Sequence, residues 1–186
     1  MNKKPEVLLS NYTEWTDTVW LKHLGNEGFS QRNSDLFVIC LGLGGELGEV
    51  AEEISNKNKD KILLELGDVA FYLARIVNFF NIKTEDIISD KIISSQTNDG
   101  NNHLKLCTSI GRTLDVVKKN IRDGKLDSNK LNSSISQSLV NLINLSSDYG
   151  YSFKDILVKN MEKNINRQNK NELRGSDTSC GKRLKP

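Results

Sequence analysis

Proline occurs only as Pro5 and Pro186, so no residue between them is barred from a helix on that ground. Cysteine is almost as scarce. Cys40, Cys107 and Cys180 are odd in number, widely spaced and outside any CxxC or Cys/His cluster, and the only histidines are His23 and His103. This argues against a disulfide framework or a zinc site and fits a reducing cytosol. No run approaches the roughly 20 apolar residues of a membrane span. The opening MNKKPEVLLS has no long apolar run behind its lysines and does not read as a secretory leader. A cytoplasmic protein with no membrane partner is expected. The formal net charge is only +2, so overall charge offers no case for a nucleic-acid partner.

Strand-like alternation is also missing, and what fills the chain is helix-period apolar patterning. It predicts helices near 11–24, 35–57, 60–80, 84–95, 104–122, 128–148 and 152–170. The polar stretch SSQTNDGNNH reads as a linker. The implied organisation is a unit over 1–95, a linker over 96–103, a second unit over 104–170 and a basic, glycine-containing tail over 171–186. Charge is unevenly spread. Residues 46–68 hold seven acids and three lysines, whereas 154–186 hold nine Lys/Arg and four acids. An acidic centre and a basic end suit an anionic ligand held through a cation.

The two units align with each other. Asp86-Ile87 falls on Asp155-Ile156, and LGGELGEVAEEI falls on SIGRTLDVVKKN upstream. Glu46 and Glu49 then match Arg112 and Asp115, while Glu65 and Asp68 match Ser134 and Gln137. In the other direction Asn160, Lys163 and Arg167 match Lys91, Ser94 and Asn98. The second copy lacks the acids of the first, and the first lacks most of the basic set of the second.

Those acids are the sharpest feature. Residues three apart share a helix face, so Glu46 pairs with Glu49 and Glu65 with Asp68. In an antiparallel hairpin turning near 57–58 the two pairs come level, as do Gly48 and Gly67, which suggests close backbones there. Four facing carboxylates need compensation. A hard divalent cation with oxygen ligands supplies it, Mg2+ first and Mn2+ as a substitute. A solvated acidic face is the alternative. A ferritin-like di-iron site would need Glu-x-x-His pairs, which are absent.

GGELGEVAEEI followed by ELGDVAFYLARI resembles the ExxE…ExxD signature of the MazG-like, all-α nucleoside triphosphate pyrophosphohydrolases, relatives of the all-α dimeric dUTPases. DYGYSFKDILVKNMEKNINRQ resembles the closing helix of that family. The resemblance implies an all-α helical bundle, here a tandem repeat packed as a pseudo-dimer. It implies Mg2+-dependent cleavage of NTPs or dNTPs to a monophosphate and pyrophosphate. It also implies that Glu46, Glu49, Glu65 and Asp68 hold the metal, and that Glu46 and Glu49 take part in catalysis. Asn160, Lys163 and Arg167 become substrate-binding candidates. Many members assemble as dimers or tetramers; here a monomeric pseudo-dimer or a homodimer is expected. A non-catalytic helical module that keeps the nucleotide site is the alternative function.

Other residues leave two readings open. Trp15 could stack on a nucleobase or fill the core with Tyr12 and Trp20. Arg75, on the stripe 65, 68, 72, 75, could reach a phosphate or pair with an acid. Glu53, one heptad from Glu46, could support the metal or be solvated. Arg174, Gly175, Gly181, Lys182 and Arg183 in the tail could fold over phosphates or remain disordered.

Overall fold

The computed structural model describes residues 5–19, 31–88 and 100–170. They form six α-helices: α1 (Pro5–Val19), α2 (Gln31–Ser55), α3 (Lys59–Phe79), α4 (Asn102–Asp123), α5 (Ser128–Asp148) and α6 (Phe153–Asn169). A short 3-10 turn at Thr84–Asp86 follows α3. No strand occurs among the described residues, so the fold is all-α as the patterning implies.

Local chemistry marks the helix ends. Asn58 opens α3, its side-chain oxygen accepting from the Lys61 N–H at 3.3 Å. Asp127 does the same for Lys130 at 3.0 Å at the head of α5. Ser152 and Asp155 form a reciprocal capping box at the head of α6. Each such cap is worth about 1 kcal/mol. Gly124 closes α4 at φ 67°, a left-handed position that glycine takes without strain.

Two hairpins carry the bundle, α2 with α3 and α4 with α5. They meet as α2 on α4 and α3 on α5, while α1 and α6 both lie against α3 and touch each other. Helix α3 is therefore central. Leu66, Val69, Leu73 and Ile76 on it are all 0% exposed. Helix α1 is fastened to α3 by Asn78, whose Nδ2 donates to the Thr13 carbonyl at 2.6 Å and to Thr16 Oγ1 at 3.0 Å.

Three local expectations change. Helix α1 starts at Pro5 rather than near residue 11. At the first helical position proline lacks only an N–H that would have no intrahelical partner anyway. The helix expected over 84–95 is a single 3-10 turn as far as it is described. Ile87 and Ile88 beyond it are fully buried and tie the connection to the core, and residues 89–99 lie outside the described residues.

The glycines differ as well. A Cβ at Gly48 would meet nothing within 4 Å, so Gly48 does not oppose Gly67. The close point between α2 and α3 is Gly42, where a Cβ would run into the Tyr72 ring. Gly67 faces α6 instead: a Cβ there would lie 2.9 Å from Asn160 Cβ and 3.0 Å from the Ile156 carbonyl oxygen. Positions level along a hairpin face each other only if helix rotation also agrees, at about 100° per residue.

The two interior glycines should consequently respond oppositely to alanine. Gly48→Ala gains up to about 1 kcal/mol of helix propensity in open space and should raise the melting temperature. Gly67→Ala makes the same gain but forces α6 away from α3, an overpacking cost of about 1–3 kcal/mol, and should lower it. Thermal unfolding of the two variants checks this. Equal shifts of the same sign would contradict the α3–α6 contact.

Candidate active site

The hairpin of α2 and α3 brings the predicted acids together unequally. One carboxylate oxygen from each of Glu46, Glu49 and Glu65 lies within 4.8 Å of the other two. Glu46 and Glu65 are half-buried and Glu49 is exposed. Asp68, one turn beyond Glu65, is drawn to α6. Its Oδ1 accepts from Asn160 Nδ2 at 2.6 Å, and its Oδ2 is ion-paired with Lys163.

The electrostatics follow from this crowding. Burial, then the Asp68 and Glu49 carboxylates, push the Glu46 carboxyl up to about 7 against the opposing pull of Lys163. Glu65 is raised chiefly by burial, with Lys163 opposing and Asp68, Glu49 and Glu53 adding to the rise. Lys163 therefore acts on Glu46 and Glu65 as well as on Asp68. Glu53 is 8% exposed, and it accepts from Lys61 Nζ at 2.9 Å across the hairpin turn.

The closing helix contributes differently residue by residue. Asn160 is 0% exposed and its amide is engaged inside the protein. Its Oδ1 accepts from Tyr12 Oη at 2.7 Å and from Asn164 Nδ2 at 3.1 Å. Gly67 makes room for it. Lys163 is partly exposed beside the acids. Arg167 is exposed on the same helix and has no ion-pair partner among the described residues.

Trp15 and Arg75 lie in contacts between α1 and α3. Trp15 is partly buried, stacked on Tyr12 with ring centroids 5.3 Å apart, and meets Phe71 edge-on at 6.2 Å. Arg75 is 7% exposed and ion-paired with Asp17. Trp20, Lys91, Ser94, Asn98 and the tail residues Arg174, Gly175, Gly181, Lys182 and Arg183 lie outside the described residues.

Tyr12 escaped the sequence reading as anything but core. One signal was available: a buried tyrosine needs a partner for its hydroxyl, where phenylalanine would not. Arg112, Asp115, Ser134 and Gln137 all line one open cleft of about 970 Å³ between α4 and α5, away from the acids.

The acid cluster is a donor set of carboxylate oxygens with no histidine or thiol among them. Such donors suit Mg2+ or Mn2+ and give no preference to softer metals. Half-burial raises the cost of leaving these charges uncompensated, which favours binding a hard cation.

Residues 38–97 match the family model of the MazG nucleotide pyrophosphohydrolase domain. The match takes in both acid pairs and agrees with the family resemblance seen in the sequence. It associates this segment with nucleotide pyrophosphohydrolases, hence with a nucleotide substrate, in a family that is generally metal-dependent. It stops before α4, α5 and α6. No curated protein and no solved structure matches the chain. No described helix is long and apolar enough to cross a membrane.

A pH dependence follows from Glu46 and Glu65. Both carboxyls hold a proton in the fold at pH values where the unfolded chain has released it. Their contribution to stability is full below the ordinary value of 4.5 and is lost as pH rises through about 7 for Glu46. Without divalent cations the melting temperature should fall from about pH 5 to about pH 8. Glu46→Gln should flatten that fall, leaving the part due to Glu65. Melting curves in chelator across this range check it, and an unchanged slope in the variant would assign the effect elsewhere.

Proposed function

We propose that the protein is a divalent-cation-dependent nucleoside triphosphate pyrophosphohydrolase, converting an NTP or dNTP to the monophosphate and pyrophosphate. One observation carries it: three carboxylates converge within 4.8 Å, inside the segment that matches the pyrophosphohydrolase domain. In this reading Glu46, Glu49, Glu65 and Asp68 hold Mg2+, or Mn2+ in its place. A cation so held would offset the charge of the triphosphate and lower the pKa of a bound water.

The protein's own residues supply the rest. Glu49 is the solvent-facing member of the cluster and takes the proton of the attacking water. Glu46, pushed up to about 7 in the absence of a cation, would be held ionised by the cation and help to position that water. The water oxygen bonds to the α-phosphorus, the bond to the bridging oxygen breaks, and pyrophosphate leaves. Lys163 and Arg167 face the phosphates from α6, where cationic side chains suit phosphate oxygens. Asn160, Trp15 and Arg75 make their contacts within the protein.

The second unit, 104–170, is read as a duplicated and altered copy of the first, packed against it as a pseudo-dimer within one chain. Support comes from the two hairpins meeting as α2 on α4 and α3 on α5, and from the shared cleft at the four aligned positions. Of those four only Asp115 is anionic, and it is ion-paired with Lys118 and Lys119. One catalytic cluster per chain is the consequence.

Pyrophosphate release from a panel of NTPs and dNTPs with Mg2+ tests the proposal. Wild type should turn over at least one of them. Glu49→Gln should lose about 100-fold or more, the scale of a general base, with its helical circular dichroism intact. Arg167→Ala should weaken nucleotide binding or turnover by about 1–3 kcal/mol without moving the nucleotide-free melting temperature. A Glu49→Gln protein with full activity would overturn the assignment. Nucleotide binding without turnover in wild type would favour a binding module.

A further inference from the structure

Tyr12 is a buried polar group beside the acids that the proposed chemistry does not use. It lies on α1 at 1% exposure and is separated from Asn160 by 148 positions in the chain. Its ring packs between α1 and α3, a task that phenylalanine would perform equally well. Its hydroxyl must therefore be explained by what it touches. The strong contact is Asn160 Oδ1 at 2.7 Å; the Gly67 carbonyl lies farther off at 3.5 Å.

The ends of an asparagine amide have the same shape and opposite hydrogen-bonding character. Turned one way, Asn160 presents an N–H donor to Asp68; turned the other way, it presents an oxygen to a carboxylate. Asn164 Nδ2, pinned as a donor by the Asn160 backbone carbonyl at 3.0 Å, lies 3.1 Å from one end and makes it the acceptor; the Tyr12 hydroxyl, able to donate or accept, donates to that same end at 2.7 Å and holds it there. The other end is then the donor, and it meets Asp68 Oδ1 at 2.6 Å. Asp68 Oδ2 is held by Lys163, so both oxygens of this carboxylate are fixed from α6.

We infer that Tyr12 is a positioning residue of the acid site: acting through Asn160, its hydroxyl fixes the orientation of Asp68 against Glu46, Glu49 and Glu65. The inference rests on the proposal that these acids hold a divalent cation. A carboxylate already held in one orientation loses less freedom on binding a cation, and groups that orient metal ligands commonly change affinity by 10–100-fold when removed. Tyr12 stands one link further away, so its effect belongs at the lower end. Helix α1 precedes the matched domain and α6 follows it, so the orientation of the fourth acid is set from outside that segment.

The test uses the full chain and Mn2+ alone as probe, without nucleotide. Mn2+ affinity is measured for wild type, Tyr12→Phe, Asn160→Leu and the double variant. Tyr12→Phe should bind Mn2+ about 10-fold more weakly, Asn160→Leu should lose more, and the double variant should match Asn160→Leu, because Tyr12 acts only through Asn160. In parallel, the Asn160 side-chain amide signals in a nitrogen-15 NMR spectrum should shift or broaden in Tyr12→Phe. This readout needs no metal and does not depend on Asn160→Leu folding. Wild-type Mn2+ affinity in Tyr12→Phe, or a full additive loss in the double variant, would overturn the inference and leave Tyr12 as a core residue. If wild type binds no Mn2+, the proposed cation site fails, and unchanged amide signals in Tyr12→Phe would then separately overturn the relay.

Discussion

The approach of α6 to α3 at Gly67 is the contact on which the acid site depends. A helix can lie this close to another only where no side chain intervenes, and Gly67 supplies the gap that Asn160 and the Ile156 carbonyl fill. Through this contact Asn160 and Lys163 meet Asp68 from a helix 92 and 95 positions away in the chain. Ile156 and Leu157, at 0% and 3% exposure, supply the apolar burial that holds α6 in place. Full burial of such side chains is worth about 1.5–3 kcal/mol each, more than a typical polar contact at the site.

The acids work against this stability. Helix positions that could pack leucines carry half-buried carboxylates instead, and burial with mutual repulsion makes Glu46 and Glu65 reluctant to ionise. Lys163 opposes both effects from α6. Under the proposed function a hard cation relieves this unfavourable charge, so folding free energy is given up where that function requires it.

The two hairpins solve the same packing problem with different surfaces. Each has a capped second helix, with Asn58 and Asp127 in equivalent roles, and each buries an apolar stripe. Their polar faces diverge. The first gathers Glu46, Glu49 and Glu65; at the aligned positions the second offers Arg112, Asp115, Ser134 and Gln137 around an open cleft. A packing stripe depends on volume and hydropathy, whereas an acidic face suited to a cation needs particular donors at particular turns.

Much of this was legible in the sequence. The helix period without interior proline is a local property, so the all-α class could be read directly, and the hairpin turning near 57–58 followed from it. The ExxE and ExxD pairs could be read too, because a three-residue spacing places both acids on one face whatever the helix packs against. Three-dimensional packing decided what local periodicity does not contain. The rotation of α3 turns Gly67 to α6 and leaves Gly48 open. Burial commits Arg75 to Asp17 and Trp15 to Tyr12 and Phe71. The meeting of α1 and α6 on α3 turns the Tyr12 hydroxyl, silent in the sequence, into a partner of Asn160. Sequence spacing fixes relations within one helix, but the relation between helices depends on how side-chain volumes fit across an interface. A single glycine on α3 and the ring of Tyr12 set that fit here.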